Sequence, residues 1–301
     1  MLSLAAPAKL NLALDVLGRR PDGYHEVKMV LQSVDLADSV QLLDCPPRGG
    51  ENSRARLVIS REPGLEGEDI PGDERNLALQ AARLLAGEYG VALRVEIRLH
   101  KRIPAAAGLG GGSADAAAVL KGLNLLWDLG RTPEELHRLA VRLGADVPFC
   151  LQGGTALAQG IGERLSPLRP AVELWFVLVK PPFGLSTAEV YRAWDEVGEK
   201  SRLKVEELVE ALQEGDPARV GRLVGNALEA VVFPRYPVLK EIKEGLLALG
   251  ALGAAMSGSG PTVFGLVEGE EQARNLAAEV ARRRPEWGKV YAVRALPGSS
   301  T

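Results

Sequence analysis

Cysteine is nearly absent from this 301-residue chain. The two present, Cys45 and Cys150, lie far apart and form no metal or redox spacing. Histidine is equally scarce: His25, His100 and His137 are scattered, so no Cys/His cluster for zinc is spelled out. No run of about 18 apolar residues occurs, which argues against a membrane-spanning helix. Met1-Leu2-Ser3-Leu4 carries no basic n-region and reaches Lys9 after only a few apolar residues, unlike a signal peptide; the cytosol is the expected compartment. Nor is there a basic excess. Lys and Arg total 36 against 39 Asp and Glu, a net charge of −3, which argues against a broad nucleic-acid surface. Lysine is the rarer cation, and this Arg-rich usage is compatible with a heat-tolerant or GC-rich source.

What is present is ordinary for a soluble globular protein: 46% hydrophobic and 25% charged residues. At about 100–200 residues per domain, the length implies roughly two domains. Such a chain buries about three quarters of its unfolded surface and needs no staples.

Leu10, Leu12, Leu14 and Val16 alternate with Lys9, Asn11, Ala13 and Asp15. This is a strand with one core face. Lys9 and Asn11 share the other face, about 7 Å apart. A Gly/Pro/Asp turn follows at 19–23, then a strand over 27–40. Pro46–Asn52 and Glu62–Glu74 read as loops around a short strand at 57–59. Asn76 opens a helical pattern, and Val95, Ile97 and Leu99 alternate in a strand. That strand leads through Pro104 into a loop, after which Ser113 begins an Ala- and Leu-rich helix. Thr132-Pro133-Glu134-Glu135 is a helix start, with the helix ending at Gly144. In the second half, 174–179 reads as a buried strand. Helices follow over 187–198, 204–213, 216–232 and 237–249. A small-residue loop at 254–261, a strand at 262–267, a helix at 270–284 and a strand at 290–294 complete the chain.

Gly108-Leu109-Gly110-Gly111-Gly112-Ser113 sits between a strand and a helix. Glycine lets the backbone adopt φ > 0 and approach a ligand. The first N–H groups of a helix are unpaired and partly positive. The segment therefore reads as an anion cradle; the plainer reading is a flexible loop. Ser113 either adds a hydroxyl beside phosphates or caps the helix. A Walker A loop, GxxxxGK[ST], is excluded because Gly112 is followed directly by Ser113 with no lysine. The fingerprint GxGxxG fails because its sixth position is Ser113. What remains is PxxxGLGxxSA: Pro104-Ala105-Ala106-Ala107-Gly108-Leu109-Gly110-Gly111-Gly112-Ser113-Ala114.

That pattern resembles the second motif of the GHMP kinase superfamily, which includes galactokinase, homoserine kinase, mevalonate kinase and phosphomevalonate kinase. Pro7-Ala8-Lys9-Leu10-Asn11-Leu12 is similar to its first motif, and Met256 through Phe264 (MSGSGPTVF) to its third. Within the superfamily the likeness narrows to the 4-diphosphocytidyl-2-C-methyl-D-erythritol kinases. It rests there on Arg20-Pro21-Asp22-Gly23-Tyr24-His25-Glu26, on the GGGSADA form of the loop, and on Gly144-Ala145-Asp146-Val147-Pro148-Phe149.

The resemblance implies an α+β, two-domain architecture. Residues 1–155 would form an N-terminal nucleotide-binding domain of the ribosomal-S5-domain-2 type. Residues 156–301 would form a ferredoxin-like substrate-binding domain, with the active site in the cleft between. It implies ATP as phosphoryl donor, with Mg²⁺. The acceptor would be a small molecule carrying a cytidine diphosphate group, with neither nucleic acid nor membrane as partner and a monomer or weak homodimer as the assembly. Asp146, by itself a turn or capping residue, becomes the general base. Lys9, by itself a solvated strand lysine, becomes its electrostatic partner. Asn11 would bond the polyol end of the acceptor. Tyr24 and Tyr191 would stack on the cytosine and His25 would meet its polar edge. Tyr191 alone reads equally as a helix core residue, and Thr187 as a helix cap as well as a substrate contact. Ser257, Gly258, Ser259 and Gly260 would receive the substrate diphosphate as a backbone nest. Asn76, a natural N-cap, would lie close to the adenine. Metal ligands stay unassigned, Ser113 being the one candidate.

Two rivals follow from the same residues. Another kinase of the superfamily has no use for an aromatic clamp around a nucleobase. A non-catalytic RNA-binding protein, suggested by the shared N-terminal fold, conflicts with the acidic charge balance.

Overall fold

The structure, a computed structural model, describes residues 1–45, 54–197 and 203–298. The loop expected at Pro46–Asn52 and the last residue of the helix expected over 187–198 lie outside the described residues. In chain order the first half forms β1 (Leu2–Arg19), β2 (His25–Asp44), β3 (Arg54–Arg61), α1 (Leu77–Tyr89), β4 (Arg94–Lys101), α2 (Gly111–Leu126), α3 (Pro133–Leu143) and α4 (Val147–Gln152). The second half forms β5 (Thr155–Gly160), β6 (Arg164–Leu168), β7 (Trp175–Lys180), α5 (Thr187–Val197), α6 (Val205–Glu214) and α7 (Pro217–Leu223). It ends with β8 (Gly225–Asn226), α8 (Glu229–Val232), α9 (Pro237–Ala248), β9 (Gly253–Met256), β10 (Val263–Val267), α10 (Glu270–Arg283) and β11 (Lys289–Arg294).

Two compact units divide the chain discontinuously. The first comprises 1–8, 36–105 and 110–152. In it β3 runs parallel to β4, and β4 runs antiparallel to the Ser39–Asp44 part of β2. Val40, Leu42, Val95, Ile97 and Leu99 point from these strands into one core. Helices α1 to α4 close that core with Ala78, Ala82, Leu85, Ala117, Leu120 and Val147. Each fully buried leucine there stabilises the fold by about 1.5–3 kcal/mol. Helix α2 lies close against the strands because it is rich in alanine and glycine. A Cβ on Gly122 would run into Leu42 and stand 2.8 Å from Leu4. The helix starts expected at Asn76 and Thr132 hold, whereas the helix expected to begin at Ser113 begins at Gly111. The Asn76 side chain accepts from the Ala78 N–H. Thr132 and Glu135 form a reciprocal capping box with Pro133 at the first helical turn.

The second unit comprises 9–35, 106–109 and 153–301. There β5 pairs antiparallel with Val27–Gln32 of β2 and with β6, and β8 pairs parallel with Ala13 and Leu14 of β1. A separate antiparallel sheet has the order β11-β7-β10-β9, with α9 and α10 packed on it. Numbered in chain order that sheet reads 4-1-3-2, the ferredoxin-like arrangement expected for this half.

Three local readings are corrected and one hairpin is added. The helix expected over 216–232 is interrupted: Val224 is extended, and Gly225-Asn226 forms β8 before α8 resumes. Gly and Asn are weak helix formers, and pairing with β1 overrides the apolar spacing. Residues 254–256, expected within a loop, belong to strand β9. The hairpin of β5 and β6 carries too little alternation to be legible in sequence. The one-face strand around Lys9 is buried on both faces: Lys9 is 4% exposed and Asn11 1%.

Candidate functional site

In the first unit, β4 delivers the chain to Lys101 and α2 carries it on from Gly111. Gly110 is the N-cap, left-handed at φ 70°, and no side chain caps the helix. Ser113 therefore sits inside the first turn and is not the cap. The opening N–H groups of α2 have no intrahelical partners and carry the positive end of the dipole. Gly110 needs its glycine for that φ. Gly112 does not, since its Cβ would meet only Leu77 at 3.7 Å.

A buried ionic triad underlies the loop. Lys101 bonds both Asp38 and Asp115, the latter in the first part of α2. Asp38 also accepts from the N–H groups of Arg102 at 2.6 Å and Ile103 at 2.9 Å. Entry to and exit from the loop are thus tied to one cluster. Burial, then the charge of Asp38, pushes the Asp115 carboxyl up to about 7, although Lys101 opposes this. Burial works to lower Lys101, but its two carboxylates outweigh that and its net shift is upward. The Ala105 N–H donates to Glu68 at 2.9 Å, giving the acidic 62–74 stretch one evident structural task. Pro104 and Ala114 are buried at the two ends of the loop. Asn76 spends its oxygen on Ala78 and donates to Pro71 O at 2.7 Å. Asp146 stands half-buried just before α4, its carbonyl accepting from the Cys150 N–H at 3.0 Å.

In the second unit the remaining loop residues, Ala106 to Leu109, have every carbonyl committed. Ala106 O accepts from Leu185 N, Ala107 O from Thr262 N, Gly108 O from the Ser257 hydroxyl and Leu109 O from Lys9 N. With its carbonyls engaged, the segment offers its N–H edge to a ligand. Gly108 takes φ 73° against Ser257 and Gly260, leaving no room for a Cβ. Ala106 accepts a left-handed φ of 46° as a non-glycine, a strained value.

Lys9 and Asn11 meet directly: Lys9 Nζ donates to Asn11 Oδ1 at 2.7 Å. Both head groups lie within 3.4 Å of where a Cβ on Gly258 would stand. Ser257 is fully buried and its hydroxyl also accepts from the Asn11 N–H at 3.3 Å. Gly258 and Gly260 take φ values of 57° and 83°, which turn the 257–260 backbone tightly. Ser259 and Thr187 share a hydroxyl hydrogen bond of 2.8 Å. Ser186, one residue earlier, supplies the cap bond to Glu189 N at 3.4 Å. His25 packs on Tyr191 with ring centroids 4.7 Å apart. Tyr24 is 60% exposed and makes no ring contact among the described residues.

Besides the Asp38–Lys101–Asp115 triad, three groups of supporting residues escaped sequence reasoning. Asn226 donates to Met256 O and Gly258 O, both at 2.7 Å, and so holds the 257–260 turn from beneath. Glu229 accepts from Met256 N at 2.8 Å and pairs with Lys243; burial raises its carboxyl despite that lysine. Asp195 stands 2.7 Å from His25 Nε2. Gly225-Asn226 carried one usable signal, a helix-poor pair inside an apolar run. Among the described residues no group of three or more His, Cys, Asp or Glu is placed to hold a metal ion, and no helix is long and apolar enough to cross a membrane.

The comparisons with known proteins agree with this arrangement. Residues 76–154 match the model of the GHMP kinases N terminal domain, and 208–286 that of the GHMP kinases C terminal. The 4-diphosphocytidyl-2-C-methyl-D-erythritol kinase of Pelotomaculum thermopropionicum is 51% identical over 282 residues, 94% of each chain. That of Geobacillus kaustophilus is 50% identical over 267 residues, 89% of this chain and 88% of the relative. A crystal structure of 4-(cytidine 5'-diphospho)-2C-methyl-D-erythritol kinase is 37% identical and superposes with a TM-score of 0.79 over 98% of this chain and 99% of that one. A crystal structure of L. major mevalonate kinase in complex with R-mevalonate shares the fold at 18% identity, with a TM-score of 0.74 over 100% of this chain and 97% of that one. The chain therefore belongs to the GHMP kinases and, within them, to the family of 4-diphosphocytidyl-2-C-methyl-D-erythritol kinases.

Proposed function

We propose that the protein transfers the γ-phosphoryl group of ATP to the 2-hydroxyl of 4-diphosphocytidyl-2-C-methyl-D-erythritol, a step of the non-mevalonate route to isoprenoid precursors. One observation carries the reading: all the acceptor-side candidates fall in a single compact unit. Lys9, Asn11, Tyr24, His25, Thr187, Tyr191 and Ser257–Gly260 share it, while most of the nucleotide loop opens α2 in the other. In this reading residues 1–155 supply the nucleotide side and 156–301 most of the substrate side, with Lys9–Asp35 joining the latter.

Phosphoryl transfer asks little covalent chemistry of a protein and much positioning. The N–H groups of 106–113 receive the phosphates, with Pro104, Ala105 and Ala114 fixing the ends of the loop and Asn76 on the adenine side. Asp146 takes the proton from the acceptor hydroxyl, a role worth about 10²–10⁴ in rate. Lys9, buried and held by Asn11, balances the developing negative charge. Asn11 orients the polyol, and the 257–260 turn receives the diphosphate. Tyr24 and Tyr191 hold the base, and His25 and Thr187 complete the polar contacts. Mg²⁺ usually keeps several waters and is bound through one or two protein ligands plus the substrate phosphates. When bound it neutralises phosphate charge, and Ser113 is the side chain offered to it here. The working assembly is a monomer or weak homodimer, with no nucleic acid or membrane partner.

A coupled ADP-release assay with ATP and Mg²⁺ tests the proposal. Turnover of the cytidyl substrate, and not of mevalonate or homoserine at equal concentration, is expected. Turnover of another alcohol alone, or of none, removes the substrate assignment.

A further inference from the structure

Helix α5 carries three contacts of the second unit on one face. Thr187, Tyr191 and Asp195 are spaced four residues apart, so their side chains line up along one side. Thr187 meets Ser259, Tyr191 lies against the His25 ring, and Asp195 Oδ1 reaches His25 Nε2 at 2.7 Å. The His25 side chain is 9% exposed, and Arg19 approaches the other oxygen of Asp195 at 3.5 Å.

A neutral imidazole has one protonated nitrogen and one bare one, and its partners decide which is which. An aspartate carboxylate only accepts hydrogen bonds. Facing Asp195, Nε2 carries the hydrogen and donates it. The lone pair is then on Nδ1, and among the described residues nothing bonds that nitrogen.

We propose that Asp195 is a specificity-determining positioning residue. By holding His25 as the Nε2–H tautomer, it keeps Nδ1 an acceptor that selects a nucleobase edge presenting an amino group over one presenting a carbonyl. The inference rests on the reading of His25 as the residue facing the base. Cytosine offers a 4-amino donor there, and uracil a 4-carbonyl. Two lone pairs facing each other leave both groups unpaired, the circumstance in which a hydrogen-bonding site discriminates most strongly. A carboxamide at 195 turns either its oxygen or its nitrogen to Nε2, so Asn permits both tautomers. Alanine leaves the choice to water.

The experiment compares kcat/KM for the cytidyl substrate and its uridyl analogue in the wild type, Asp195→Asn and Asp195→Ala, with the KM for ATP and the thermal midpoint measured alongside. In both variants the cytidyl-to-uridyl ratio falls by about tenfold or more, chiefly through the cytidyl KM, while the KM for ATP stays within about twofold. Long-range proton–nitrogen spectra of histidine-labelled wild type, followed up in pH to the neutral imidazole, show His25 protonated on Nε2 and bare on Nδ1. In Asp195→Ala that signature becomes mixed. An unchanged ratio in both variants, or a protonated Nδ1 in the wild type, overturns the inference even if one variant folds poorly. Calorimetry with CDP and UDP separates the two layers. Preference for CDP without any turnover faults the reaction assigned above; turnover without base preference faults the role of Asp195.

Discussion

Gly108→Ala probes the nucleotide loop most directly. Gly108 sits at φ 73°, where an L side chain costs about 1–2 kcal/mol. Its new Cβ would run into the Ser257 carbonyl and stand 3.1 Å from both the nitrogen and the oxygen of Gly260. All three obstacles are backbone atoms, so the loop itself has to move. That movement breaks the 3.0 Å bond from the Ser257 hydroxyl to Gly108 O, worth about 1 kcal/mol. The sum is a loss of about 2–3 kcal/mol. Gly112→Ala is the control, because its Cβ meets only a leucine methyl at 3.7 Å and it gains up to about 1 kcal/mol in helix propensity. Thermal melts and steady-state kinetics read the pair. Gly108→Ala melts several degrees lower and loses kcat/KM, while Gly112→Ala melts at or above the wild-type temperature. If the order is reversed, or if Gly108→Ala matches the wild type in both readouts, the loop geometry argued here is wrong. Weakened ATP binding in a stable Gly112→Ala protein would locate a phosphate against that backbone.

Three further outcomes are expected. Asp146→Asn keeps its KM for ATP and loses at least two orders of magnitude in kcat, by the usual worth of about 10²–10⁴ for a general base; a loss of only a few-fold would leave it an orienting group. Tyr24→Ala raises the KM for the cytidyl substrate far more than that for ATP, and equal effects on both would remove Tyr24 from the base clamp. Asp115→Asn changes the pH dependence of stability. Burial pushes the native Asp115 carboxyl up to about 7, against about 3.9 for an unfolded aspartate, so between these values the native state binds the extra proton and stability falls as pH rises. The variant lacks that slope, so its denaturant midpoint gains on the wild type from about pH 4 to pH 7. A constant difference across that window, or one of opposite sign, refutes the raised carboxyl.

Much of the fold was legible because local signals and burial coincide. The Thr132 capping box, the Asn76 cap and the alternation in β4 each satisfy the backbone within a few residues. The segment at 216–232 was misread because its apolar spacing suits a helix, while a distant strand claims Gly225 and Asn226. Lys9 illustrates the same limit. Alternation placed it beside Asn11, but only the packing of the second unit buries both faces of that strand.

By itself the sequence determined the motif set, the order of most elements, and the glycines at 108 and 110 that a left-handed backbone demands. Tertiary structure decided how those motifs are held. Asn226 beneath the 257–260 turn, Asp195 behind His25, and Asp38 with Lys101 and Asp115 behind the loop are each separated from their partners by between 14 and 170 residues. Such partners leave no periodic trace in the sequence. A buried polar group must find a complement wherever the fold supplies one, and that choice is made in space.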